Sequence, residues 1–161
     1  MEKIKTMIFV SLLAITALGQ TQDTTAISND KLDYHTLYCE IIKQGIKYPD
    51  IAFAQAILES GHFKSNIFLN NNNLFGMRLA KVRQTTAVGK KKGYAVYTDW
   101  VMSVQDYKLW QENSPSKYLT SRKKYLLFIQ KTYSHVKGYN NKVLKIVKNF
   151  KSRLKTEECE N

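Results

Sequence analysis

Glu59 closes a run, Ile51 to Leu58, read as apolar on every side, and no charged residue falls between Asp50 and Glu59. Pro49 stands where a helix begins, with Asp50 in its first turn, so the spacing predicts a buried helix that ends on a carboxyl group and is stopped by Gly61. Two effects then act on Glu59 in one direction, because apolar neighbours and the negative end of the helix dipole both disfavour the ionised form. A carboxylic acid kept protonated near neutral pH is what cleavage of a glycosidic bond needs, since the departing sugar oxygen leaves poorly unless it is protonated. From the spacing alone, a Glu whose side chain simply reaches solvent at the helix end is the competing reading. Metal chemistry has no such support: His62 and His135 stand alone, and His35, four residues from Cys39, has no second pair, so neither a metal site nor a cofactor is expected.

The elements that must position this carboxyl belong to a chain of 161 residues, 43% hydrophobic and 24% charged. That usage excludes disorder, collagen and repeat solenoids, and it allows one compact domain with a core of its own. Lys3 and Lys5, the apolar stretch Met7 to Leu18 and the small residues Ala17 and Gly19 read as a signal peptide over 1–19. The stretch is too short for a spanning helix, so no stable membrane anchor is expected and the protein is read as exported, periplasmic or extracellular. Residues 20–32 read as a flexible leader, 33–156 as the catalytic domain and 157–161 as a C-terminal tail. Cys39 and Cys159 are either two thiols or a disulfide pinning that tail.

The net charge of +12 suits polyanionic surroundings. Export argues against nucleic acid as a partner, and no nucleic-acid-binding motif is present. Basic clusters at Lys90 to Lys92, at Arg122 to Lys124, and along Lys142, Lys145, Lys148, Lys151 and Lys155 are either solvated faces or a surface for anionic wall polymers.

Along the chain, helical spacing covers Asp33 to Gly45. The asparagines Asn70 to Asn73 suggest a loop. Gln84 to Val88 and Tyr94 to Tyr97, joined by Gly89 to Gly93, suggest a hairpin with a five-residue loop. Asp99 suits the N-cap of a helix with Val101, Val104, Tyr107 and Trp110 inward, while Asp106 reads as a surface residue of that helix. Ser114-Pro115 opens a short helix, Ser121 caps one running through Tyr133, and Asn140 or Asn141 begins the last. The expected fold is mostly α, with one small β-hairpin.

The segment Phe53-Ala54-Gln55-Ala56-Ile57-Leu58-Glu59-Ser60-Gly61, followed by Asn73-Leu74-Phe75-Gly76, resembles the signature of the endo-β-N-acetylglucosaminidase domain of glycoside hydrolase family 73, the flagellar-hydrolase and autolysin type. Tyr97 at the end of the hairpin, the Ser103-to-Tyr107 stretch, and Tyr133, Tyr139 and Lys142 continue the likeness over about Tyr48 to Val143. The resemblance implies a lysozyme-like α+β domain acting on peptidoglycan glycan strands, cut between N-acetylglucosamine and N-acetylmuramic acid. It also implies Glu59 as general acid, Tyr133 near the reacting sugar, and Asn73, Phe75, Tyr97 and Tyr139 as substrate-binding residues. Core packing is the other reading for Phe75 and Tyr97, and Tyr139 reads equally as structural.

One departure bears on mechanism. Many relatives place a second acid in the hairpin lobe, yet from Met77 to Thr98 there is no Asp or Glu. Asp99 and Asp106 remain as candidates for a second acid, with a helix cap and a helix-surface residue as their other readings. Without either, the acetamido group of the substrate itself would assist at the anomeric carbon, a known exception to the paired-carboxylate rule. A lytic transglycosylase of the same fold and a non-catalytic wall-binding protein are the alternative functions.

Overall fold

The computed structural model describes residues 32–134, 136–154 and 159. The expected signal peptide, the leader up to residue 31, His135 and Lys155 lie outside these residues. The described chain forms six α-helices, one 3-10 turn and a two-stranded antiparallel sheet.

Helix α1 (Tyr34–Lys43) is opened by Asp33, whose carboxylate accepts from Thr36 N at 2.8 Å, and the chain leaves it through Gly45, at φ +63°. Helix α2 (Pro49–Glu59) is the central element, and every residue from Ile51 to Ile57 is buried. One side meets α1, α4 and the loop through Leu74 and Phe75, and the other meets α5 and α6. Ile51, Phe53 and Ile57 lie wholly inside, and removing three such side chains from water contributes on the order of 5–9 kcal/mol. That burial, rather than local propensity, fixes where Glu59 sits.

After α2 the sequence reading needs correction. A further helix, α3 (Asn66–Asn71), is opened by the Ser65 hydroxyl, which accepts from Phe68 N at 3.1 Å. Asn70 and Asn71, expected in a loop, finish this helix, and Asn72 stops it at φ +52°. The side-chain amides of Asn71, Asn72 and Asn73 join the hairpin to the helical body. Asn71 Nδ2 donates to the Lys91 and Ala95 carbonyls, Asn72 Nδ2 to those of Tyr97 and Thr98, and Asn73 Nδ2 to those of Met77 and Ala95.

The hairpin is also displaced from its expected register. Strand β1 is Gly89–Lys91 and β2 is Tyr94–Val96, with Gly89 opposite Val96 and Lys91 opposite Tyr94. Residues expected to be loop therefore form a strand, and Gln84 to Ala87 form none. Lys92 and Gly93, at φ +51° and +85°, make a two-residue turn whose twist matches the strands, and this geometry outweighs the β-propensity of the Gln84 segment.

Helix α4 (Trp100–Glu112) is capped by Asp99, which accepts from Met102 N at 3.0 Å. A 3-10 turn follows at Ser116–Tyr118, and α5 (Arg122–Thr132) is capped by Ser121. Helix α6 (Tyr139–Phe150) begins at Tyr139 after Gly138, earlier than expected, because Asn140 is used elsewhere: its amide donates to the Leu126 carbonyl at 2.9 Å. Cys39 and Cys159 form a disulfide, with Cα atoms 5.0 Å apart. The arrangement is the expected mostly helical domain with one small hairpin.

Candidate active site

Glu59 ends α2 where the helix emerges from the two apolar clusters. Burial holds its carboxyl above the usual glutamate range, and a hydrogen bond from the Tyr139 hydroxyl to Oε1, at 2.8 Å, opposes that effect only in part. Among the described residues no cation forms an ion pair with it. The upward direction is the one the sequence reading expects from apolar neighbours around the helix end.

The opposite oxygen faces the loop after α3. Gly76, at φ +61°, lies so close that a Cβ there would stand 3.4 Å from Glu59 Oε2. This loop is held on both sides: Asn73 Oδ1 accepts from Met77 N at 3.0 Å, and the Tyr133 hydroxyl donates to the Phe75 carbonyl at 2.6 Å. Tyr133 caps the C-terminus of α5. Its hydroxyl is enclosed, which pushes its pKa up, while its ring reaches the wall of an open cleft of about 360 Å³. Gly76, Met77, Arg78, Arg83 and Trp110 share that wall. The cleft therefore begins beside Glu59, reached across Gly76 and Tyr133.

Three residues expected in the groove lie in the interior instead. Asn73 is buried, and its amide is fully engaged with main-chain groups. Phe75 is buried with its ring stacked on Tyr107 at 4.2 Å between centroids. Tyr97 is buried and donates to Asp106 Oδ2 at 2.7 Å. Each carries a polar or aromatic group that a sugar would suit, but the loop and hairpin close over them. Tyr139 is also buried and bonds the carboxyl directly. Asp99 serves as the α4 cap.

Asp106 corrects another expectation. It is wholly buried rather than on the helix surface, and it pairs with Arg83 at 2.6 Å and with Tyr97. This pair anchors the segment before the hairpin to α4 and leaves Arg83 neutralised where it borders the cleft. The sequence reading also passed over Gln55. It is the polar interruption of the apolar run, it is buried, and its two ends bond Tyr139 and Tyr107. A lone amide inside an otherwise apolar helix is a signal, because such a group must find partners.

Among the described residues no group of His, Cys, Asp and Glu is arranged to hold a metal ion, and no helix is long and apolar enough to cross a membrane.

Comparison with known proteins agrees with this geometry. A 52-residue stretch is 48% identical to Protein bax of Escherichia coli strain K12, covering 32% of this chain and 19% of that protein. The chain thus matches about a fifth of that relative's length. The catalytic domain of the autolysin Auto from Listeria monocytogenes superposes with a TM-score of 0.54 at 22% identity, over 72% of this chain and 79% of that one, which establishes the shared fold. The profile of the glucosaminidase family, described as mannosyl-glycoprotein endo-beta-N-acetylglucosaminidase, matches residues 36–152, a span that holds α2, Glu59, the hairpin and the cleft. With most of the chain matched, this protein belongs to the glucosaminidase family and has the lysozyme-like fold of the autolysin catalytic domain.

Proposed function

We propose that this enzyme is an endo-β-N-acetylglucosaminidase that cuts peptidoglycan glycan strands between N-acetylglucosamine and N-acetylmuramic acid, with Glu59 as the general acid. The observation that carries the reading is the half-buried Glu59 carboxyl, raised in pKa, with one oxygen bonded by Tyr139 and the other against the cleft-lining Gly76. Glu59 donates its proton to the glycosidic oxygen as the bond to the anomeric carbon breaks. The acetamido oxygen of the N-acetylglucosamine then stabilises that carbon until water adds. Substrate assistance is favoured because the nearby acids are otherwise engaged: Asp99 caps α4, and Asp106 is locked to Arg83 and Tyr97. Tyr133 supports the reaction by fixing the Phe75 carbonyl, and so the loop that faces the carboxyl. The catalytic domain is taken as 33–156, preceded by an export signal and leader. The exposed lysines Lys90 to Lys92 on the hairpin and Lys142, Lys145 and Lys148 on α6 supply a surface for anionic wall polymers.

The engagement of Asp99 and Asp106 fits a lytic transglycosylase equally, since internal attack by the muramic acid hydroxyl also needs only one protein acid. Mass spectrometry of peptidoglycan digested by the protein, run beside Glu59→Gln, separates the two. Products ending in reducing N-acetylglucosamine, absent with the variant, support the glucosaminidase, whereas anhydro-muramyl ends would reassign it. Retained wall binding with no product from either protein would make it a binding module.

A further inference from the structure

A continuous chain of buried polar groups runs from the far side of the core to Glu59, and its anchor fixes its direction. Gln111 is oriented by main chain alone: its Oε1 accepts from Lys47 N at 2.7 Å, and its Nε2 donates to the Lys47 carbonyl at 2.9 Å. The same Nε2 can therefore only donate to the Tyr125 hydroxyl, 3.0 Å away. Tyr125 has one proton left to place, and its remaining neighbour is the Tyr107 hydroxyl at 2.5 Å. Tyr107 must then donate onward, to Gln55 Oε1 at 2.6 Å. That choice turns Gln55 Nε2 towards the Tyr139 oxygen at 3.2 Å, and leaves the Tyr139 proton for Glu59 Oε1 at 2.8 Å.

The opposite polarity has a defined cost. If Glu59 carried its proton on Oε1 and gave it to Tyr139, Gln55 would turn over and Tyr107 would donate to Tyr125. Tyr125 would then receive two protons and have no acceptor for its own, leaving a buried hydroxyl unsatisfied. Among the described residues the only buried side-chain polar atom left without a partner is Asn140 Oδ1, so the chain as it stands satisfies every member.

We propose that Gln111, Tyr125, Tyr107, Gln55 and Tyr139 form a one-way donor chain that keeps Glu59 Oε1 an acceptor, so that the acid proton is carried on Oε2, the oxygen against Gly76 and the cleft. Gln55 and Tyr107 are positioning residues, since they act through Tyr139. The inference rests on Glu59 being the acid. Among the described residues, the groups set against Glu59 are Tyr139 from α6, Tyr133 from the end of α5 and Gly76 from the loop, of which the two tyrosines titrate.

The test reads Glu59 directly, by carbon NMR titration of protein labelled with ¹³C-glutamate, using Glu59→Gln to assign its signal. In Tyr107→Phe, Gln55 loses the donor that orients it, so Tyr139 is released from Glu59 for part of the time. The Glu59 titration and the alkaline limb of kcat/KM then move to higher pH, and kcat falls about tenfold with KM within about twofold. Tyr125→Phe cuts the chain from its Gln111 anchor, so Tyr107 is no longer obliged to donate to Gln55 and the Glu59 titration moves in the same direction, whereas Tyr48→Phe, which removes a hydroxyl that donates to the Leu119 carbonyl outside the chain, leaves it at its wild-type position. Gln55→Met preserves volume while cutting the chain, and gives the same upward shift if Tyr107→Phe does not fold. A shift as large in Tyr48→Phe, or none in Tyr107→Phe, Tyr125→Phe and Gln55→Met, would overturn the one-way chain. Activity surviving in Glu59→Gln would instead overturn the assignment of the acid, an outcome the substrate-free titration does not depend on.

Discussion

Replacing Gly76 by alanine tests the approach of the loop to Glu59. Two separable penalties follow from the structure. The first is in the backbone, where φ of +61° lies in the left-handed region and costs an L residue about 1–2 kcal/mol. The loop cannot rotate away without breaking the bonds from Met77 N to Asn73 and from Tyr133 to the Phe75 carbonyl. The second is the new methyl, 3.4 Å from Glu59 Oε2 and 4.0 Å from its Cβ, which obliges the carboxyl to give by a few tenths of an ångström. Gly93→Ala at the hairpin tip isolates the first penalty, since φ there is +85° and a Cβ would meet nothing within 4 Å. Both variants should lower the midpoint of thermal unfolding by about 3–8 °C. Only Gly76→Ala should lower the release of reducing ends from purified peptidoglycan, by about tenfold, because a small misplacement of the acid costs more in rate than in stability. Equal activity in the two variants would refute the claim that Gly76 is needed for the carboxyl to occupy its place.

Glu59→Gln should abolish turnover while making the protein more stable at neutral pH. A raised folded pKa means that the folded state binds this proton more tightly, so its contribution is complete below the ordinary value of 4.5 and is lost as pH climbs through the folded pKa. The stability gap, about 1.4 kcal/mol per unit of elevation, should therefore close in urea melts below that pH. Asp99→Asn should keep activity within about twofold and leave stability nearly unchanged, since Asn caps α4 about as well as Asp; complete loss of product would make Asp99 a second acid after all. Asp106→Asn should cost about 3–5 kcal/mol by leaving Arg83 and Tyr97 without their buried anion, as read by chemical unfolding. Reducing the Cys39–Cys159 disulfide, whose ends lie 120 residues apart, should cost up to about 4–5 kcal/mol, seen as a lower midpoint with reductant.

What was legible in the sequence is what local physics controls. A long apolar helix with a carboxyl at its end, a proline at its start and a glycine after it reads the same way in the chain and in the fold, as do the Asp99 and Ser121 caps. What was hidden depends on partners far along the chain. Asp106 has the pattern of an exposed helix residue until Arg83, 23 residues earlier, is brought beside it. Helix α3 is too short for periodicity to announce it, and the hairpin register was decided by the backbone angles of Lys92 and Gly93 rather than by strand composition. The place of Glu59 at the end of α2 is legible from its helix, but the hydrogen-bonded network behind it is not, because Gln55, Tyr107, Tyr125 and Gln111 meet only once α2, α4 and α5 pack.

The three amides that fasten the hairpin also set a chemical lifetime. Each of Asn71, Asn72 and Asn73 gives both of its side-chain protons to carbonyl oxygens. Deamidation would put a carboxylate against those same oxygens, turning attraction into repulsion and loosening the lobe that carries Gly76. The reaction begins with attack by the next residue's main-chain nitrogen. After Asn71 that nitrogen donates to the Phe68 carbonyl, and after Asn73 it donates to Ser103 Oγ. Ageing in solution should therefore start at Asn72, and the protein's working life depends on how tightly that one corner stays closed.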